Sequence, residues 1–120
     1  MAVRAVRGAT HLSADDADEM RAAVIELLSE MLERNGLSTE DLISVLFTAT
    51  PDLVAVFPAS AARSLDIADV PLICAREIDV TGAMPRVVRV LAHVETARTR
   101  RDVAHVFLRG THVLRADLLS

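Results

Sequence analysis

Residues 87–94 read Val-Val-Arg-Val-Leu-Ala-His-Val. The run has the length of a strand, is rich in β-branched side chains, and is apolar at both alternating sets of positions except at Arg89 and His93. A strand with one wet face alternates apolar and polar residues. This one does not, so it predicts a strand whose two faces both need cover.

Toward the C-terminus, Thr99 caps a turn over Arg100 to Val103. His105-Val106-Phe107-Leu108-Arg109 predicts a further strand, and after Gly110 the stretch Thr111 to Leu114 leaves room for one more. Toward the N-terminus, Arg76 to Arg86 holds Gly82 and Pro85 with no sustained period and reads as a loop. Leu72 to Ala75 is a short strand preceded by Asp69-Val70-Pro71. Pro58 opens a short helix to about Leu65, because proline is tolerated in a first helical turn. Leu42 to Thr48 is an apolar run of strand length between a capped turn at Ser38–Asp41 and the breaker Thr50-Pro51-Asp52. From Ser13 to Asn35 the period becomes helical: Met20, Ala23, Val24, Leu27, Leu28, Met31 and Leu32 form one stripe. Ser13 serves as N-cap, the acidic residues 15–19 suit the helix dipole, and Gly36 supplies the C′ position. Residues 2–7 form a first strand that stops at Gly8, which puts Arg7 at a strand end.

The order is that of an α/β domain: a mixed β-sheet with one long helix and short helices, in a single domain over 1–120. One long helix covers one sheet face, so the other face predicts oligomerisation. Composition excludes several classes. Thirteen Lys plus Arg against seventeen Asp plus Glu give a net charge of -4, which argues against a nucleic-acid partner. With three Phe and no Trp or Tyr there is no stacking surface, and the core must be aliphatic. Cys74 is the only cysteine, which suits a reducing, cytoplasmic compartment. The first ten residues lack an apolar leader and no apolar stretch approaches membrane-spanning length, so neither export nor a membrane is expected.

Arg89 stands out, since an arginine among apolar neighbours is costly unless it meets an anion. Arg7 has the same character. A pair of guanidinium forks suits a carboxylate ligand, although structural or interfacial ion pairs use arginine too. Cys74-Ala75-Arg76-Glu77-Ile78-Asp79 mixes one soft thiol with hard carboxylates and makes a poor metal site, so no metal is expected. Glu77 reads better as a hydrogen-bond acceptor for a ligand. His11, His93, His105 and His112 lack ligand spacing and read as ordinary residues. No nucleophile triad, phosphate loop or dinucleotide fingerprint is present. The residues alone thus describe an oligomeric α/β binder of a small anion.

Several ordered segments add to this: Arg4-Ala5-Val6-Arg7-Gly8-Ala9-Thr10, Thr48-Ala49-Thr50-Pro51-Asp52-Leu53, Ala55-Val56-Phe57-Pro58-Ala59, Arg63, Val70-Pro71, Cys74, Glu77-Ile78-Asp79-Val80-Thr81-Gly82 and Val113-Leu114-Arg115. Together they closely resemble the AroH-class monofunctional chorismate mutases over nearly the whole chain. The resemblance implies a homotrimer (a pseudo α/β barrel) with active sites between adjacent subunits, and conversion of chorismate to prephenate in aromatic amino-acid biosynthesis without any cofactor. It also implies roles. Arg7 matches an arginine that binds a substrate carboxylate, Arg89 the one that contacts the ether oxygen of the breaking bond, and Glu77 the acceptor for the ring hydroxyl, with Cys74 and Ala75 beside it. Phe57, Ala59, Arg63 and Ile73 match positions lining the cleft from the adjacent subunit, and Leu114 and Arg115 match its C-terminal edge. Two cleft positions depart: Phe107 stands where the family often has tyrosine, and Ser60 where lysine is common. Those departures support an alternative, a non-catalytic trimeric anion binder or sensor on the same fold. An imine-hydrolysing protein of the Rid type shares a similar architecture by analogy only and leaves the Glu77 and Arg89 segments unexplained.

Overall fold

The computed structural model describes residues 1–118, and the side chains of residues 1–114. Five strands, β1 (Ala2–His11), β2 (Leu42–Ala49), β3 (Leu72–Arg76), β4 (Val87–Thr96) and β5 (Val106–Phe107), form one sheet in the order β3-β2-β4-β1-β5. The doubly apolar run is the centre of this sheet. β4 pairs antiparallel with β1 and β2, while β3 lies parallel to β2 and β5 parallel to β1. Two helices, α1 (Ala17–Arg34) and α2 (Pro58–Ala62), and 3₁₀ turns at Thr39–Asp41, Arg100–Asp102 and Thr111–Leu118 complete the described elements.

Both helices belong to one face. There Val6, Val45, Phe47, Val88, Val90, Ala92 and Val94 meet Met20, Val24, Leu27, Leu28 and Met31 of α1 and Ala61 and Ala62 of α2 in one buried cluster. Each large apolar side chain so buried contributes roughly 1.5–3 kcal/mol relative to exposure. On the opposite face the cover is incomplete: Ala9 and Val87 are buried, but Val3, Ala5 and Ile73 are exposed, and Leu46, Leu91 and His93 only half-buried. The expected uncovered face is therefore present. No helix among the described residues is long and apolar enough to cross a membrane.

Four local expectations need correction. β1 does not stop at Gly8 but runs on to His11, so Arg7 lies within a strand. The glycine answers a close approach by the helix: a Cβ there would come within 2.5 Å of Met31 Sδ and 3.0 Å of Leu27 Cδ1. Helix α1 is capped by Asp16, whose carboxylate accepts the Glu19 N–H at 2.8 Å, and not by Ser13. Ser13 is held outside the helix by the Glu19 carboxylate, to which its N–H donates at 2.7 Å. At the other end Gly36, at φ +64°, does take the left-handed position after the helix. Helix α2 ends at Ala62, short of Leu65. Finally, no strand forms at Thr111–Leu114. Arg109 and Gly110, both with positive φ, turn the chain off the sheet edge. The Thr111 hydroxyl then donates to the carbonyls of Ala9 at 3.1 Å and Leu108 at 2.8 Å, and a 3₁₀ helix follows.

Candidate active site

Strand alternation decides which side chains share the open face. Arg89 lies opposite Ala9 of β1 and Thr48 of β2, Thr48 lies opposite Ala75 of β3, and Ala9 lies opposite Phe107 of β5. Phe107, Ala9, Arg89, Thr48 and Ala75 thus form one row across the sheet. Just past the end of β3, the Glu77 N–H donates to the Ala49 carbonyl at 2.9 Å and so prolongs the ladder by one step. Two residues beyond Ala75, Glu77 falls on the same face.

The consequence is a compact polar cluster. The Glu77 carboxylate pairs with Nη1 of Arg89 through one oxygen and accepts the Thr48 hydroxyl at 2.6 Å through the other. The Glu77 side chain retains 15% of its exposure and that of Arg89 35%, so the carboxylate is tucked under the guanidinium and the guanidinium faces outward. A guanidinium offers five N–H donors, and Glu77 engages Nη1. Thr48 lies 29 residues from Glu77, and no local pattern marks it as Glu77's partner.

Arg7 lies on the same face, opposite Leu91 and one step along from Ala9 in the side-chain alternation. Its guanidinium stands 5.9 Å from the centroid of the Phe107 ring, within cation–π range, and its backbone N–H donates to Nδ1 of His105 at 2.9 Å. Beside Arg89 and Glu77 opens a cleft of about 440 Å³ that also takes in Thr50, Asp52, Arg76 and Met84. Burial pushes the Asp52 carboxyl up, but hydrogen bonds from the Thr50 hydroxyl and from the backbone N–H groups of Asp52 and Arg86, with the Arg86 charge, outweigh it and hold the group below its ordinary range.

The structure therefore brings Arg89, Glu77, Arg7, Phe107 and Ala75 onto one surface, with Ile73 at its edge, 64% exposed. It does not bring all the expected residues together within one chain. Phe57, 71% exposed, lines a second, largely apolar cleft of about 440 Å³ with Val54, Val56 and Pro58, next to the first through Thr50, Pro51 and Arg76. Ala59 and Ser60 are half-buried on α2, and Arg63 is exposed at its C-cap. Cys74 stands opposite the fully buried Phe47 and packs partly against the helix-covered core, and it also lines the Phe57 cleft beside Ala75 and Arg76. Leu114 is half-buried on the last 3₁₀ helix, and the Arg115 side chain lies outside the described residues.

The family profile described as chorismate mutase type I matches residues 3–118. Chorismate mutase AroH of Thermus thermophilus is 47% identical over 119 residues, covering 98% of both chains. Chorismate mutase AroH of Bacillus subtilis (strain 168) is 40% identical over 119 residues, 98% of this chain and 94% of that one. Among solved structures, a chorismate mutase from Clostridium thermocellum superposes with a TM-score of 0.89 at 47% identity, covering 91% of this chain and 97% of the other.

Proposed function

The chain belongs to the type I chorismate mutase family, and on that premise we propose that it converts chorismate to prephenate on the open face of its sheet. The reaction is an isomerisation in which a carbon–oxygen bond breaks as a carbon–carbon bond forms within one molecule. It needs no nucleophile, metal or organic cofactor. What it needs is a dianionic substrate held in a folded, chair-like shape, with positive charge placed where the ether oxygen gains negative charge as its bond lengthens. Orientation and preorganised electrostatics supply both.

The observation that carries this reading is the Arg89–Glu77–Thr48 cluster on an uncovered sheet face. Arg89 is the donor to the ether oxygen. Because Glu77 engages one of its nitrogens, the guanidinium is held in one orientation before the substrate arrives, and little reorganisation remains for the reaction itself. Glu77, fixed from its other side by Thr48, accepts the ring hydroxyl. Arg7 holds a substrate carboxylate, with Phe107 alongside.

The missing wall comes from a neighbouring copy in a cytoplasmic homotrimer. Its Phe57, Ala59, Ser60, Arg63 and Ile73 close the cleft over the substrate, Cys74 and Ala75 precede Glu77 on its own strand, and Leu114 and Arg115 form the C-terminal edge. An exposed phenylalanine and an exposed isoleucine on one small domain support such cover. The direct test is to follow chorismate with purified protein and no added metal. Disappearance of chorismate with formation of prephenate is expected, and tight binding of chorismate without turnover would overturn the reading in favour of a sensor.

A further inference from the structure

We propose that His105 is a positioning residue for Arg7: its imidazole replaces the strand partner that β1 lacks at that point and so fixes the backbone from which the Arg7 guanidinium projects. The proposal rests on the reading of Arg7 as a carboxylate-binding residue.

The edge of β1 is where the geometry becomes informative. β5 pairs with β1 only at Gly8 and Ala9. The Ala9 carbonyl accepts the Leu108 N–H at 2.9 Å, so odd-numbered residues of β1 turn their backbone groups toward β5. Arg7 is the next odd residue back, one position before the first paired residue, Gly8. Its N–H donates instead to Nδ1 of His105 at 2.9 Å, across a sequence separation of 98. Since that nitrogen accepts, it carries no proton, and the neutral ring is the Nε2–H tautomer.

His105 is itself held from behind. Asn35, 4% exposed at the C-cap of α1, clamps the preceding residue from both sides: its amide donates to the Ala104 carbonyl at 2.9 Å, and its carbonyl accepts the Ala104 N–H at 2.8 Å. The same amide donates to the Met31 carbonyl at 2.7 Å. The end of the long helix therefore sets where residue 104 lies, residue 104 sets the imidazole, and the imidazole sets the Arg7 backbone. A merely structural histidine at a sheet edge would not need its acceptor nitrogen aimed at the β1 residue whose side chain holds the substrate carboxylate.

The test compares His105→Leu, His105→Asn and Arg7→Ala, alone and combined, in steady-state kinetics with chorismate. Asparagine places an acceptor oxygen near the position of Nδ1, and leucine does not. His105→Leu should raise KM about fivefold, near 1 kcal/mol at 1.4 kcal/mol per decade, with a smaller change in kcat. His105→Asn should stay within about twofold of the parent, and in the Arg7→Ala background His105→Leu should add little. An unchanged KM in His105→Leu, equal loss in the leucine and asparagine variants, or full additivity with Arg7→Ala would each overturn the proposal. If Arg7→Ala alone left KM unchanged, the carboxylate role of Arg7 would fall separately. Should His105→Leu not fold, ¹⁵N spectra of the imidazole in the unaltered protein decide: an unprotonated Nδ1 at neutral pH is expected, and a protonated one contradicts it.

Discussion

The two faces of the sheet are built from the same strands and ask for opposite things. On the helix side, Val88, Val90, Ala92 and Val94 alternate along β4 into a cluster closed by α1 and α2 within a single chain. On the other side, Arg89, Leu91 and His93 are half-buried and Val3 and Ile73 exposed, with a charged cluster set among them. A residue on the first face meets partners that are already present. One on the second is placed for something outside the chain, a substrate or another subunit. Stability should therefore depend on the covered face and turnover on the open one.

The sharpest way to break this division is to truncate the largest fully buried side chain of the covered face. Phe47→Ala removes a ring from the centre of the cluster and should cost about 3–5 kcal/mol of stability, read by denaturant titration. Any loss of turnover should follow from the loss of folded protein. Arg89→Ala should do the reverse. Its kcat should fall by an amount worth roughly 3–4 kcal/mol, as for loss of a donor to a developing oxyanion, while Tm moves far less than in Phe47→Ala. A pure KM effect would move Arg89 from transition-state stabilisation to binding, and a large Tm loss with unchanged kcat would erase the difference between the faces.

Smaller changes sharpen the picture. Phe107→Tyr adds a hydroxyl beside Arg7 and should lower KM by about 1 kcal/mol with little change in kcat, because the carboxylate is charged in both ground and transition states. Titration with a dianionic analogue of the transition state should show the same gain. The smallest effect concerns the covered side, at the start of α1. The Ser13 N–H holds the Glu19 carboxyl below its ordinary value of 4.5, helped by the Ser13 hydroxyl, the Ala14 N–H and Arg109 against burial, which raises it. A depressed folded-state value means that this contribution is present above about pH 4.5 and is lost as pH falls through the lower folded value. Glu19→Gln should flatten the acid limb of the stability curve slightly, and kcat at neutral pH should not change.

Element type was legible where periodicity was long or unbroken. The stripe Met20 to Met31 announced α1, and the apolar run 87–94 announced the central strand. Boundaries failed where tertiary contact overrode a local rule. Gly8 looks like a stop signal, and only the passage of Met31 over it shows why glycine stands inside a strand. Ser13 is a good cap by type, yet Asp16 is the one at the right distance from Glu19. Within the site, Arg89 was visible because charge in an apolar strand is conspicuous, and Glu77 and Arg7 acquired roles through family resemblance. Thr48 and His105 were not visible, since a hydroxyl and an imidazole acting 29 and 98 residues away leave no pattern in the local sequence.

Neighbouring copies of this chain are expected to complete the open face and to form the substrate site with it. Sedimentation equilibrium of the unaltered protein at micromolar concentration, paired with chorismate turnover across the same concentrations, tests it most directly. A single species of three 13.0 kDa chains is expected, with specific activity constant until dilution dissociates it and falling in step thereafter. A stable monomer that turns over chorismate at full rate would contradict the claim.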